Sequence, residues 1–162
     1  MPQVAVFIGS ISDKETVQPC IEILDQLGVD YEFTVTSAHR TPERTRELVE
    51  NMEAKGCRVF ICAAGLAAHL AGAVASRTVK PVLGIPVSAS SLGGTDALFS
   101  TVQMPPGYPV GTLGLDRNGA RNAAWLAAQI LALQDEGIRE RLESSRRQMQ
   151  DKVLRDAEQL TE

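Results

Sequence analysis

The sequence predicts a three-layer αβα protein with a central parallel sheet. Short apolar runs, among them Val4–Ile8 and Pro81–Ile85, have the near-continuous hydrophobicity of strands that are buried on both faces of a sheet. Segments with apolar residues at three- and four-residue spacing alternate with these runs, which is the pattern of strands connected by helices. The 162 residues are enough for one domain with its own core. We therefore expect residues 1–162 to form a single domain, with an α/β core over residues 1–133.

The first strand is predicted at Val4–Ile8, and a helix that ends at Gly28 follows it. Five apolar residues after the strand lie on one helical stripe, and Gly28 is a typical stop. Pro19 lies within the stripe and lacks a backbone donor, so it should bend the helix or delay its start. The stripe consists of Val17, Cys20, Ile21, Leu24 and Leu27.

The remaining core elements continue this alternation. Tyr31–Thr36 alternates apolar and polar residues and predicts a second strand. Thr41 and Pro42 then match an N-cap and a first helical position, and Glu43 adds an acid to the first turn of a helix. Gly56 ends that helix. Further strands are expected at Arg58–Ala63, Pro81–Ile85 and Val110–Leu115, and further helices at Ala67–Ser76 and from about Ala120 to Leu133.

A long polar helix is predicted for residues 136–160. Its apolar residues form only a thin stripe at three- and four-residue spacing. We expect this C-terminal helix to pack on a neighbouring subunit, and a solvated tail is the alternative. The stripe consists of Ile138, Leu142, Met149, Val153, Ala157 and Leu160.

Composition and charge exclude several classes of partner. The net charge is -4 and aromatic residues make up 4% of the chain, so no basic surface with interleaved aromatic residues is expected for nucleic acid. No apolar stretch is long enough to span a bilayer, and no signal peptide precedes the first apolar run. The three cysteines form an odd set without a CxxC pair, which indicates reduced thiols. We therefore expect a cytoplasmic protein that binds neither nucleic acid nor membrane.

Three loops that follow predicted strands carry candidate site residues, and such loops meet at the carboxyl edge of a parallel sheet. In the first, Gly9 lets backbone approach a ligand, and Ser10 and Ser12 offer hydroxyls ahead of a helix start that favours phosphate. Asp13 either accepts from ribose hydroxyls or caps its helix, and both roles stay open. Because no GxGxxG follows the strand, a single phosphate or a mononucleotide is favoured over a dinucleotide.

The second loop has the sequence SAHRTPE and combines several reactive side chains. Arg40 supplies a fork of donors suited to phosphate, and Ser37 adds a hydroxyl. His39 carries an imidazole, the side chain that exchanges protons most readily near neutral pH. A surface histidine without function is the alternative, but its position beside Arg40 and a helix start favours a functional role.

The third loop, Ala63–Gly72, is rich in small residues that let a flat ring or a carboxylate reach backbone amides. It contains His69, for which we favour a structural role in the core or as a helix cap. Two later segments, Ser88–Thr95 and Gln103–Gly107, are candidates for further walls of the site. With two histidines far apart and no acidic cluster, no metal site is predicted.

Several motifs resemble those of the small bacterial N5-carboxyaminoimidazole ribonucleotide mutases. GSISD, SAHRTP, AAGLAAHLAG and TDALFSTVQMPPGYPVGT occur in the family's order and spacing, from about Val4 to Leu133. The resemblance implies a flavodoxin-like fold, a homo-octamer to which the C-terminal helix contributes, and no metal or cofactor. The implied activity moves a carboxylate from the exocyclic nitrogen of an aminoimidazole ribonucleotide to a ring carbon, in purine biosynthesis.

The resemblance also implies a role for each site residue. His39 would be the general acid and base, which protonates the exocyclic nitrogen and later removes the ring proton. Ser12, Ser37 and Arg40 would bind the phosphate of the ribonucleotide. Asp13 would bind its ribose. The remaining substrate contacts would come from Ser10, Ala38, Ala64, Gly65 and Ala67.

Three residues depart from the family's usual third motif, GAGGAAHLPG. Ala63, Leu66 and Ala71 replace two glycines and a proline. We expect Leu66 to face the interface between sheet and helices, where its small neighbours leave room. A related branch that carboxylates the free ribonucleotide directly with carbon dioxide is an alternative, although SAHRTP and AAHL favour the mutase branch. An inactive mononucleotide-binding sensor is an alternative of another class.

Overall fold

The computed structural model describes residues 1–160 and contains one sheet of five parallel strands. The strands are β1 (Val4–Ile8), β2 (Tyr31–Val35), β3 (Val59–Gly65), β4 (Val82–Val87) and β5 (Gly111–Thr112). The helices are α1 (Lys14–Gln26), α2 (Pro42–Ala54), α3 (Leu70–Ala75), α4 (Thr95–Val102), α5 (Asp116–Ala132) and α6 (Glu136–Glu158). The strand order is β2-β1-β3-β4-β5, which is the order of flavodoxin. Thr161 and Glu162, which the sequence assigns to the same domain, lie outside the described residues.

Helices cover both faces of the sheet, which confirms the three predicted layers. Alternate residues of β1 point to opposite faces because side chains alternate along a strand. Val4, Val6 and Ile8 belong to a core with residues of α1 and α5. Ala5 and Phe7 belong to a second core with residues of α2 and α3. All five residues of β1 are buried, as their continuous hydrophobicity predicts.

Helix α1 begins before Pro19, so the predicted delay of the helix start is wrong. A proline at this position removes the N–H that would bond to the carbonyl of Glu15, four residues earlier. The Arg117 guanidinium of α5 donates to that carbonyl instead, with Nη1 3.0 Å from the Glu15 oxygen. A side chain from the neighbouring helix therefore replaces the missing backbone donor.

Several element boundaries differ from the sequence expectation. The sequence does not predict α4, because this helix buries only Ala97 and Thr101 and has little apolar periodicity. Strand β5 is shorter than expected because the chain turns at Gly114, which has a φ of 99°. Helix α3 begins at Leu70, later than expected, because the N–H groups of Ala68 and His69 bond to carbonyls two residues earlier and form tight turns.

The C-terminal helix is confirmed as α6, and its first half packs on the core of its own chain. Ile138 and Leu142 are buried there, and Nε of Arg141 donates to the carbonyl of Leu27 at 2.6 Å. Met149 and Val153, further along, are 48% and 66% exposed. The predicted contact with a neighbouring subunit therefore concerns the second half of the helix. Among the helices described, none is long and apolar enough to cross a membrane.

Candidate functional site

The three loops expected to carry the site meet in one cavity at the carboxyl edge of the sheet. The cavity has a volume of about 510 Å³ and lies beyond the ends of β1, β2 and β3. The strand order reverses between β1 and β3, and open parallel sheets bind ligands at such a switch point. The ten residues predicted to act in catalysis or to bind substrate all line it: Ser10, Ser12, Asp13, Ser37, Ala38, His39, Arg40, Ala64, Gly65 and Ala67. Their individual roles stay predictions.

A larger groove, of about 930 Å³, lies beside the start of β4 at the opposite edge of the sheet. Its lining includes Gly107 of the segment Gln103–Gly107, and the described residues around the smaller cavity include none of that segment. The segment therefore does not line the cavity in the part of the chain that the structure describes, and its role as a further wall stays a prediction. The smaller cavity is the better candidate, because ligands of parallel sheets bind at the carboxyl edge.

The first loop is held by hydrogen bonds between its own polar side chains. Oδ2 of Asp13 accepts the backbone N–H of Ser10 at 3.2 Å, and Oγ of Ser10 accepts the hydroxyl of Ser12 at 2.9 Å. The bond between Asp13 and Ser10 belongs to a capping box that starts a short 3₁₀ turn, Ile11–Asp13. Asp13 thus helps to cap this turn, although as the N-cap residue of α1 it makes no side-chain cap hydrogen bond to that helix. Burial raises the pKa of the Asp13 carboxyl, and the hydrogen bonds from Ser10 and Ser12 oppose that shift.

The second loop is closed by Thr41. Its hydroxyl accepts the N–H of Ser37 at 3.0 Å and donates to the Ser37 carbonyl at 3.1 Å. Thr41 does occupy the N-cap position and Pro42 the first helical position, as predicted, but the hydroxyl closes the loop rather than capping α2. His39 and Arg40 are exposed at the tip of the loop. Arg40 has no ion-pair partner within residues 1–160, which leaves its guanidinium available for an anionic ligand.

The third loop begins where β3 ends and contacts the end of β4 closely. A Cβ at Gly65 would lie 2.7 Å from Cβ of Ala89 and 3.0 Å from the carbonyl oxygen of Val87, so only glycine fits this position. Leu66 follows with a φ of 57° and is 57% exposed at the cavity. The expectation that Leu66 faces the interface between sheet and helices is therefore wrong. The left-handed backbone turns its side chain away from the packed layers.

His69 lies in the same cavity as His39, so the expected core role is wrong, and it occupies the N-cap position of α3 without capping the helix by its side chain. Its side chain is exposed, and it makes no cap hydrogen bond to the described residues of α3. The two imidazole rings are nearly parallel, with an interplanar angle of 18° and centroids 6.4 Å apart. Sequence reasoning missed this pair because 30 positions separate the two histidines. Both histidines follow strands of one parallel sheet, and this signal would have placed them at the same edge.

The cavity combines the means to bind an anion with the means to exchange protons. Ser12, Ser37 and Arg40 offer hydroxyl and guanidinium donors, which suit a phosphate. The two imidazoles lie beside small residues, where a flat ring can approach backbone. The fold and the site thus define a flavodoxin-like α/β protein with a small-molecule cavity at the switch point of its sheet.

Comparison with known proteins identifies the family. The chain belongs to the AIR carboxylase family, whose model matches residues 3–152. Proteins named N5-carboxyaminoimidazole ribonucleotide mutase from Haemophilus influenzae and Methanocaldococcus jannaschii are each 50% identical to it, over 94% and 98% of this chain and 93% and 98% of their own length. The crystal structure of Treponema denticola PurE, 27% identical, covers 100% of both chains with a TM-score of 0.90. The resemblance read from the motifs is confirmed.

Proposed function

We propose that this chain interconverts N5-carboxyaminoimidazole ribonucleotide and 4-carboxy-5-aminoimidazole ribonucleotide in purine biosynthesis. Its curated relatives, which match nearly the whole chain, carry the name of that mutase. The observation that carries the proposal is the meeting of His39, Arg40 and the small residues of the third loop in one cavity. A proton carrier, an anion clamp and room for a flat ring are the parts that this reaction needs.

His39 moves the protons in the proposed mechanism. It protonates the exocyclic nitrogen as the bond from that nitrogen to the carboxylate carbon breaks, which releases carbon dioxide and leaves 5-aminoimidazole ribonucleotide. Ring carbon C4 then attacks the carbon dioxide, and His39 takes the proton that C4 loses. The imidazole recovers in the second step the proton it gave in the first, so one general acid and base completes the isomerisation. The proposed reaction uses no metal or cofactor.

The polar residues of the first two loops hold the ribonucleotide. Ser12, Ser37 and Arg40 bind its phosphate. The carboxylate of Asp13, which lines the cavity, accepts a ribose hydroxyl in addition to the Ser10 N–H. Ser10, Ala38 and the backbone of residues 64–67 flank the imidazole and the carboxylate. Carbon dioxide must stay beside C4 between the two steps, which requires that bound substrate close the cavity to water.

Supplying two substrates separately tests the proposal against its alternatives. Rapid isomerisation of the N-carboxylated ribonucleotide, without turnover of the free ribonucleotide plus bicarbonate, is the result expected of a mutase. Turnover of the second mixture alone would identify a direct carboxylase, and binding without turnover would identify a sensor. The names of the curated relatives favour the mutase over both.

We also propose that the protein works in the cytoplasm as a homo-octamer, with the ribonucleotide as its small-molecule partner. The cysteines at positions 20, 57 and 62 are free and buried, which suits a reducing compartment. On the second half of α6, Met149, Val153 and Leu154 are exposed and supply an apolar surface for a neighbouring subunit.

A further inference from the structure

One wall of the cavity comes from the connection between β4 and α4. Ala89 is the residue of this connection that lines the cavity. It packs closely against the third loop, since a Cβ added at Gly65 would lie 2.7 Å from Cβ of Ala89. A small displacement of Ala89 therefore changes the shape of the site directly.

The serines on either side of Ala89 are each bonded to an aspartate. Asp116, at the start of α5, accepts the N–H of Ser88 at 2.8 Å on Oδ1 and the Ser88 hydroxyl at 2.5 Å on Oδ2. Asp96, in the first turn of α4, accepts the hydroxyl of Ser90 at 2.9 Å. Ala89 is thus held between two serine–aspartate contacts that tie it to two helices.

Asp116 makes its two hydrogen bonds from an unfavourable backbone conformation. Its φ is 52°, and Leu66 is the other non-glycine residue with positive φ in the part of the chain that the structure describes. A side chain with a Cβ is disfavoured in this region, and such conformations persist where the surrounding contacts determine them. Glycine would adopt the same φ without strain but would lack the carboxylate.

We propose that Asp116 is a positioning residue, which fixes Ser88 and thereby sets the Ala89 wall of the substrate cavity. The inference rests on the proposed function, because the ligand that meets this wall is the ribonucleotide. Asp116 itself is not among the residues that line the cavity, so its effect passes through the backbone of Ser88 and Ala89.

Asp116→Gly separates this role from a structural one. Glycine relieves the positive φ, but the variant loses the two hydrogen bonds to Ser88 and gains freedom in the unfolded chain, so the melting temperature should change little. The KM for the ribonucleotide should rise about tenfold while kcat changes less, because a displaced wall weakens the ground state and the transition state alike. Asp116→Asn keeps an acceptor for the Ser88 N–H, so it should bind the ribonucleotide nearly as tightly as the wild type. The double variant Ser88→Ala with Asp116→Gly should have the same KM as Asp116→Gly alone, because both substitutions remove the contact between Ser88 and Asp116.

Asp135→Gly is the matched control for loss of an aspartate at a helix start. Asp135 accepts the N–H of Ile138 at 3.0 Å at the start of α6, so its replacement by glycine should lower the melting temperature slightly without changing KM. An unchanged KM in Asp116→Gly would overturn the positioning role. A loss of substrate affinity that is accompanied by a clearly lower melting temperature would also overturn it. If the wild-type protein does not isomerise the substrate, the proposed function fails. Calorimetry with 5-aminoimidazole ribonucleotide then decides the positioning role. Weaker binding by Asp116→Gly than by the wild type supports the role. Equal affinity of the two proteins, or binding by neither, rejects it.

Discussion

His39 and Arg40 are neighbours at the tip of one loop, but their proposed roles predict different kinetic effects. His39 acts only in the proton transfers, so its loss should lower the rate of the chemical step. Arg40 holds the phosphate before, during and after the reaction, so its loss should affect substrate binding. Thr41 closes the loop from behind, and neither side chain is needed for that closure.

His39→Asn should keep the fold and the affinity for the ribonucleotide. Its kcat should fall by roughly two to four powers of ten, the usual contribution of a general acid or base. Steady-state kinetics with the N-carboxylated ribonucleotide measures this. His69→Asn is the matched comparison because His69 lines the same cavity. Near-normal kcat in the His39 variant would reject the mechanism, and a larger loss in the His69 variant would move the proton carrier to His69.

Arg40→Ala should weaken binding of the phosphorylated ligand about 10- to 100-fold, the equivalent of hydrogen bonds to a charged group. Arg44→Ala is the control, because Arg44 lies four residues further along the chain but donates to the Val35 carbonyl and to Thr34. Calorimetric titration with 5-aminoimidazole ribonucleotide measures both affinities. If Arg40→Ala binds as tightly as the wild type, the phosphate clamp must lie elsewhere.

Leu66→Gly tests the direction of the Leu66 side chain. Relief of the left-handed backbone should gain about 1–2 kcal/mol, and the extra freedom of glycine in the unfolded chain should cost about 0.4–1 kcal/mol. The side chain is 57% exposed, so little apolar burial is lost. The free energy of unfolding should therefore stay the same or rise slightly. A denaturant titration showing a loss of about 1.5–3 kcal/mol would mean that Leu66 is buried after all.

At the scale of elements, the pairing of α1 with α5 explains how a proline is accommodated inside a helix. Pro19 leaves the Glu15 carbonyl without its helical donor, and Arg117 of α5 supplies another. The hydrogen bond links the first turn of α1 to the first turn of α5. The same two helices pack on one face of the sheet through apolar residues.

A double-mutant cycle measures this replacement of a backbone donor. Arg117→Met should cost about 1 kcal/mol of unfolding free energy in the wild-type chain, the net value of one hydrogen bond. In a Pro19→Ala background the Ala N–H can bond to Glu15, so Arg117→Met should cost close to nothing. The coupling energy from denaturant unfolding is then about 1 kcal/mol. Equal costs in both backgrounds would show that Arg117 stabilises the protein by another contact.

At the scale of the whole molecule, α6 has two parts with different surroundings. Its first part covers the core of its own chain through Ile138 and Leu142, and Ser145 is buried beside them. Its second part carries exposed apolar residues, among them Met149 and Val153. The first part therefore belongs to the folding of the subunit, and the second part is the candidate for assembly.

Two truncations separate these functions of α6. A chain that ends after Ser145 keeps the buried residues and should fold, but light scattering should show an assembly smaller than the proposed octamer. A chain that ends after Leu133 also loses Ile138 and Leu142, each worth about 1.5–3 kcal/mol of burial, so it should lose stability as well. If the chain that ends after Ser145 assembles with the same number of subunits as the full-length chain, the second part of α6 is not an interface.

Much of the fold and the location of the site were predictable from local patterns. Val4–Ile8 is a strand because five apolar residues in a row are buried on both faces, and the structure confirms its bounds. The site residues were found because strands of one direction end at one edge, so loops far apart in sequence meet there. The helix α4 escaped prediction because its two buried residues are too few to produce a helical period.

The sequence by itself determined the order of the strands and of the helices other than α4, the family, and which loops form the cavity, because apolar periodicity and short motifs are local properties. Only the tertiary structure decided where Leu66 and His69 point and which residues hold Ala89. Leu66 turns outward because of a positive φ that its residue type does not favour. The rings of His39 and His69 face each other although β1 lies between the strands that they follow. Asp116 reaches Ser88 because β4 and β5 pair in the sheet. Such contacts depend on distances between remote residues, which local patterns do not contain.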